Sequence, residues 1–147
     1  MGVGALMSDP DEIQSYRDLR VWQRAMDAAE LVMGLIDDGP LAKRYRLAAQ
    51  LEASSASIPA NISEGHELAT RKQYLAHLYY ARGSLAETLT FLELFERRKL
   101  IDTDRAREAW GVLIEVRKML YKLTSRLEQG AAVAESDPDP SPDTLNL

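Results

Sequence analysis

Cysteine is absent from the 147-residue chain. That absence excludes a disulfide framework, a thiolate zinc site, an iron–sulfur cluster and a cysteine nucleophile together. No apolar run reaches the roughly 18 residues that a membrane-spanning helix needs. Residues 1–8 lack the basic start and apolar length of a secretory signal, and Leu6 stands where a myristoylation signal requires Ser or Thr. The expected location is the cytoplasm, and no membrane partner is expected. Charge at the two ends is of one sign. Asp9, Asp11 and Glu12 near the start, and Glu135, Asp137, Asp139 and Asp143 near the end, have no basic neighbour, because all 18 Lys and Arg lie between residues 15 and 130. The net charge of -5 therefore belongs to the ends, and the stretch between them is close to neutral.

What is present describes a globular protein. The chain is 46% hydrophobic and 28% charged with a mean hydropathy of -0.29, and its length fits one domain. Apolar residues recur at helical spacing. Leu19, Trp22, Met26, Ala29, Met33 and Ile36 form the stripe of a first helix over about 16–37, opened by a capping box of Ser15 and Asp18. Gly39-Pro40 ends it and opens a second, from Leu41 to about Glu64, with Ala48, Leu51, Ser55, Ile58 and Ile62 inward. Pro59 should bend this helix, leaving Ser54, Ser55 and Ser57 to satisfy the freed carbonyl, and Gly65 is its expected stop.

Thr70 and Gln73 form a second capping box, announcing a third helix to about Lys99 that buries Leu78, Ala81, Leu85, Thr88, Leu92 and Phe95. Gly83 costs this helix about 1 kcal/mol relative to alanine, which predicts close approach of a neighbour. A fourth helix starts near Asp102 or Thr103 and ends before Gly130, with Ala109, Leu113, Val116, Leu120, Leu123 and Leu127 inward. The expected fold is all-α, an antiparallel up-down four-helix bundle over residues 16–130. It stands between a flexible acidic N-terminus, residues 1–15, and a disordered acidic, proline-rich tail, residues 131–147. Val21, Leu31, Leu35, Leu75, Tyr79, Leu89, Phe91, Val112 and Met119 lie off the narrow stripes. Self-association would cover that surplus, so a homo-oligomer is expected.

Three strings carry a resemblance: Tyr16-Arg-Asp-Leu-Arg-Val-Trp-Gln23, Ser57-Ile-Pro-Ala-Asn-Ile-Ser-Glu-Gly65 and Gly83-Ser-Leu-Ala-Glu87. In these, and across about residues 16–128, the sequence resembles the four-helix-bundle family of 23S rRNA intervening-sequence proteins, which includes the accessory variability proteins of diversity-generating retroelements. The resemblance implies a bundle assembling as a homopentameric barrel, with Trp22, Pro59, Asn61, Glu64, Gly65, Gly83, Ser84 and Glu87 as its structural motif residues. For the retroelement branch it further implies a basic surface that binds nucleic acid and docks a reverse transcriptase. It implies no catalytic activity. After Gln50, where the family commonly carries a basic pair, this chain has Glu52 and Ala53.

Catalytic and metal chemistry find no constellation in the residues. A di-iron bundle needs Glu-x-x-His pairs, but Ser63 precedes His66 and Tyr74 precedes His77 at that spacing. His66 reads as a loop residue and His77 as a helix-surface residue, with no metal and no cofactor expected. Gly2-Val3-Gly4 leads to Met7 with no strand before it, so dinucleotide binding is rejected. Glu64 and Glu87 could be imagined as an acid–base pair, but no nucleophile accompanies them. Asn61, Glu64, Ser84 and Glu87 are better read as polar groups fixing the register of a proline-bent helix.

The basic residues remain as the functional signal. Arg17, Arg20 and Arg24 fall at i, i+3 and i+7 on the first helix, and Lys118, Lys122 and Arg126 form a stripe on the fourth. These six are the candidate nucleic-acid-binding residues, since ring assembly would repeat each stripe into a basic band. Arg97, Arg98 and Lys99 are explained by the dipole at a helix C-terminus. The expected function is a non-enzymatic, oligomeric protein that binds RNA or DNA non-specifically as an accessory partner of a reverse transcriptase. The alternative is a structural or protein-interaction scaffold with no nucleic acid, favoured by a pI near 5.1 and by Glu52 and Ala53.

Overall fold

The structure is a computed structural model that describes residues 13–136, with side chains through residue 130. A 3-10 turn, Tyr16–Asp18, precedes α1, Arg20–Asp37; a second 3-10 turn, Pro40–Lys43, precedes α2, Tyr45–Glu67; α3 spans Arg71–Arg97 and α4 spans Thr103–Ser136. No strand occurs among the described residues. The expected flexible start and disordered tail lie outside the described residues, except that the backbone of 13–15 and 131–136 is described.

Side-chain pairs fix the directions of the helices. Arg24 of α1 meets Glu115 of α4 and Asp38, just past α1, meets Arg105, so sequence number rises on one helix as it falls on the other. Ser54 with Thr88, Ser57 with Ser84 and Asn61 with His77 show the same for α2 and α3. Each helix packs on two others, α1 on α2 and α4, α3 on α2 and α4. This is the antiparallel four-helix arrangement expected from the short connections.

The core follows the expected stripe on three helices and departs from it on one. On α3 the buried residues are Leu78, Ala81, Leu85, Thr88, Leu92 and Phe95, and on α2 all five expected positions are buried. On α4 Ala109, Leu113, Val116 and Leu120 are buried, while Leu123 and Leu127 are partly so. On α1 the stripe is turned. Expected Ala29 and Ile36 are buried, but Val21, Ala25, Ala28, Val32 and Leu35 enter the core beside them, while Met26 and Met33 remain 40% and 38% exposed. Four of the seven buried residues are larger aliphatics and three are alanines between them, and alanine lets a neighbouring helix approach closely where methionine would not.

Several expected boundaries move for identifiable reasons. Ser15 and Asp18 do form a capping box, but it closes the 3-10 turn, and extended Leu19 intervenes before α1. Residues 41–43 belong to the second 3-10 turn, so α2 begins at Tyr45. Gly65 is not a stop. It is buried inside α2, where an added Cβ would stand 2.8 Å from His77 Cβ, so it permits the close packing of α2 on α3. Gly130 does not end α4, which continues to Ser136; the Arg71 guanidinium lies 3.0 Å from where its Cβ would be. Gly83, expected to mark a close approach, has no atom within 4 Å of a built Cβ and is exposed.

Helix α3 ends in a Schellman arrangement. The Leu100 N–H donates to Phe95 O and the Lys99 N–H to Glu96 O, with Lys99 at φ 56. A lysine holds the left-handed position that glycine usually fills. The loop then clasps its neighbour, as Leu41 N–H donates to Leu100 O.

Candidate functional site

The bundle brings the two expected basic stripes to one edge. Arg24 Nε stands 2.7 Å from Glu115 Oε2 across the α1–α4 groove, and its NH1 stands 3.2 Å from Asp27 Oδ2. Hydrogen bonding by Arg24, with the added charges of Arg24, Arg20 and Lys118, holds the Glu115 carboxyl below the usual carboxylate range. The same bond with Glu115, then that with Asp27, raises the Arg24 guanidinium. Arg20 and Lys118 thus flank one acid from two helices, and exposed Lys122 and Arg126 continue the row along α4. Among the described residues Arg20, Lys118, Lys122 and Arg126 make no ion pair.

Two members of the expected set do not serve as expected. Arg24 is half-buried and saturated by two carboxylates, so it anchors α1 to α4. Arg17 is exposed on the 3-10 turn, and the extended Leu19 breaks the i, i+3, i+7 row that would have aligned it with Arg20.

The motif residues around Pro59 form a polar seam between α2 and α3. Pro59 has no N–H for the Ser55 carbonyl, but the three serines do not turn to that carbonyl. Ser54 Oγ donates to Leu51 O, Ser55 Oγ donates to Glu52 O, and Ser57 Oγ shares a hydrogen bond of 2.8 Å with Ser84 Oγ. Asn61 Nδ2 donates to both Ser57 O and Ser57 Oγ, and its Oδ1 faces His77 Nδ1 at 3.1 Å. Buried Thr88 Oγ1 lies 2.9 Å from Ser54 Oγ and 2.8 Å from Ser84 O, its single hydroxyl proton shared between these two acceptors. Each buried hydroxyl here has a partner, which is what holding α2 against α3 requires.

Glu64 and Glu87 are not an acid–base pair. Glu64 lies 3.7 Å from His77 at its closest, whereas Glu87 is exposed ten residues further along α3, about 15 Å away by helical rise. His77 is not a free surface residue, since it bonds Asn61 and packs edge-on against Tyr80. His66 is not in a loop. It lies in α2 edge-on to Tyr74, with Nδ1 buried and unpartnered.

Trp22 is half-buried, edge-on to Tyr16 at 5.2 Å, and lines a groove of about 360 Å³ between α1 and α2 with Met26, Met33, Ala56 and Pro59. Between α3 and α4 lies a feature that the sequence reading missed. Arg82 Cζ stands 3.7 Å and Arg117 Cζ 5.4 Å from the centre of the Tyr121 ring. Beside them is a cavity of about 280 Å³ whose lining includes Leu85, Ala86, Leu89 and Leu120. Hydrogen bonding from Arg82 and then Arg117 lowers the Tyr121 hydroxyl below the ordinary phenol value. Tyr79, which donates to Glu128, is raised instead. Arg82, Arg117 and Tyr121 are each unremarkable in the sequence, and only the register of α3 on α4 brings them together.

Among the described residues no group of three or more His, Asp or Glu could hold a metal ion, and no helix is long and apolar enough to cross a membrane. The model of the family described as 23S rRNA-intervening sequence protein matches residues 17–122. A crystal structure of a protein of unknown function from the S23 ribosomal protein family of Bacteroides thetaiotaomicron is similar with a TM-score of 0.64 and 23% identity, over 71% of this chain and 97% of that one. At that identity the likeness speaks for the fold. No curated protein matches the chain.

Proposed function

The chain belongs to the family of 23S rRNA-intervening sequence proteins, and from that premise we propose that it is a non-enzymatic, oligomeric bundle that binds nucleic acid through the α1–α4 edge. The observation that carries this reading is the convergence of Arg20, Lys118 and Lys122, from two separate stripes, on one exposed edge around the Arg24–Glu115 pair. The edge has no geometry for reading bases. Its cations are exposed and evenly spaced along helices, which suits a phosphate backbone and gives sequence-independent binding. The half-exposed Trp22, Met26 and Met33 support self-association through the α1–α2 groove. The resemblance to retroelement accessory proteins supports a homopentamer and a reverse-transcriptase partner. The cytoplasm is the proposed compartment.

The test is retention of RNA or DNA by the full chain at about 50 mM salt, where phosphate contacts are strong. Changing Arg20, Lys118 and Lys122 to glutamine should weaken retention of every sequence tried. Removing comparable charge at Arg97 and Arg98 should not. The scaffold reading keeps one specific support, the saturation of Arg24 by carboxylates in a chain of net charge -5. Failure of the unaltered oligomer to retain either polymer would establish that reading in place of ours.

A further inference from the structure

We infer that the groove between α3 and α4 takes an unpaired base, so that the nucleic acid bound by this chain is single-stranded; the inference rests on the reading that the chain binds nucleic acid. Two guanidiniums, Arg82 and Arg117, are gathered on one tyrosine ring, and neither meets a carboxylate within ion-pair distance among the described residues. The face of an aromatic ring attracts such cations, but two like charges on one ring repel, and an arriving phosphate relieves that repulsion. The cavity beside them has apolar walls and a volume of about 280 Å³. That is close to the roughly 300 Å³ at which small-ligand pockets begin, room for one planar base.

A duplex cannot use such a site, because its bases are stacked inside and only phosphate and groove edges are offered. A single strand can, since its free base faces stack on aromatic rings and on arginine planes. Placement along α4 favours the same ligand. Tyr121 is three residues after Lys118, a spacing that sets the two side by side on α4, so the groove adjoins the basic edge at Lys118. A strand whose phosphates lie on Lys118 and Lys122 carries its base to Tyr121. At the other end of the groove Tyr79, 5.6 Å from Arg82, holds the Glu128 carboxylate. That negative charge directs the phosphate toward Arg117 and Lys118.

Fluorescence anisotropy with a labelled oligothymidylate strand and a labelled duplex of equal length tests the inference on the full chain. The unaltered protein should bind the strand more tightly than the duplex. Tyr121→Ala and, independently, Arg82→Gln should each weaken strand binding by about 5- to 100-fold, the loss of one base stack, with duplex binding changed by less than about two-fold. Tyr121→Phe should keep the strand affinity, because the ring and not the hydroxyl does the stacking. Arg82 is half-buried but makes no ion pair among the described residues, so its change to the uncharged glutamine removes the guanidinium without stranding a carboxylate, and it decides the matter if Tyr121→Ala proves unstable. Equal weakening of strand and duplex, or no weakening of the strand, would overturn the inference and leave the basic-edge reading standing. Failure of the unaltered chain to bind either would overturn both.

Discussion

On the side turned to α2, helix α1 presents Trp22, Met26 and Met33; on the side turned to α4 it presents Arg20 and Arg24. The first side borders an apolar groove that no side chain of the described residues closes over. On the second, Arg24 is held by two acids while Arg20 and its α4 neighbours face solvent. Both sides are incomplete, for different physical reasons. Apolar surface is completed by burial, which salt hardly affects, whereas exposed cations are completed by counter-charge, which salt competes for steeply. One helix therefore separates a surface suited to a protein from a surface suited to a polyanion.

The largest expected change breaks the comparison on its apolar side. Changing Trp22 and Met33 together to serine should reduce the light-scattering mass from a multiple of 16.5 kDa toward a single chain, with helical circular dichroism retained. An unchanged mass would show that the subunits meet elsewhere. Next in size is the wall of that groove, held through the α2–α3 seam. Asn61→Ala removes the amide that joins Ser57 to half-buried His77, leaving Ser57 Oγ with Ser84 alone, and should cost about 1–3 kcal/mol in denaturant unfolding. Glu64, exposed and no nearer than 3.7 Å to His77, should cost at most about 1 kcal/mol when changed to alanine.

A substitution far from both sides serves as a control on stability. Lys99→Gly relieves the left-handed residue after α3 and should stabilise the fold by about 1 kcal/mol, with binding and mass unchanged. A loss of stability would mean that the lysine side chain contributes more than its backbone costs. The smallest effect belongs to the charged side. Glu115→Gln removes the acid set among Arg20, Arg24 and Lys118 and should tighten nucleic-acid binding at low salt. Because the folded-state pKa of Glu115 is depressed, its stabilising effect is complete above the ordinary carboxylate value and is lost as pH falls through the lower folded value. Carboxylate NMR titration should show Glu115 ionising below the usual glutamate range.

Helix α3 was legible in the sequence because its inward positions at 78, 81, 85, 88, 92 and 95 keep an unbroken 3-4-3-4-3 spacing, even though Leu75, Tyr79, Tyr80, Leu89, Phe91 and Leu94 lie off it. Helix α1 was not, because it carries two overlapping stripes. The one with tryptophan and methionine outweighs the alanine-rich one on hydrophobicity, yet small residues win where helices pack closely. Glycine gave the same ambiguity at three places. At Gly65 and Gly130 it admits a neighbour within a helix, and at Gly83 it faces solvent, distinctions set by what lies opposite. The candidate site divided similarly. Each basic stripe could be read by periodicity, but their meeting around Glu115, the loss of Arg17 from the row, and the Arg82–Arg117–Tyr121 cluster depend on pairs distant in sequence.

The central claim is that the exposed cations of the α1–α4 edge meet phosphate. Its most direct test is the salt dependence of nucleic-acid affinity, for the unaltered chain and for the variant with Arg20, Lys118 and Lys122 changed to glutamine. The account predicts a linear fall of log affinity with log salt, shallower in the variant by roughly 0.7 to 0.9 for each phosphate contact removed. Parallel lines for the two proteins, or an affinity indifferent to salt, would contradict it.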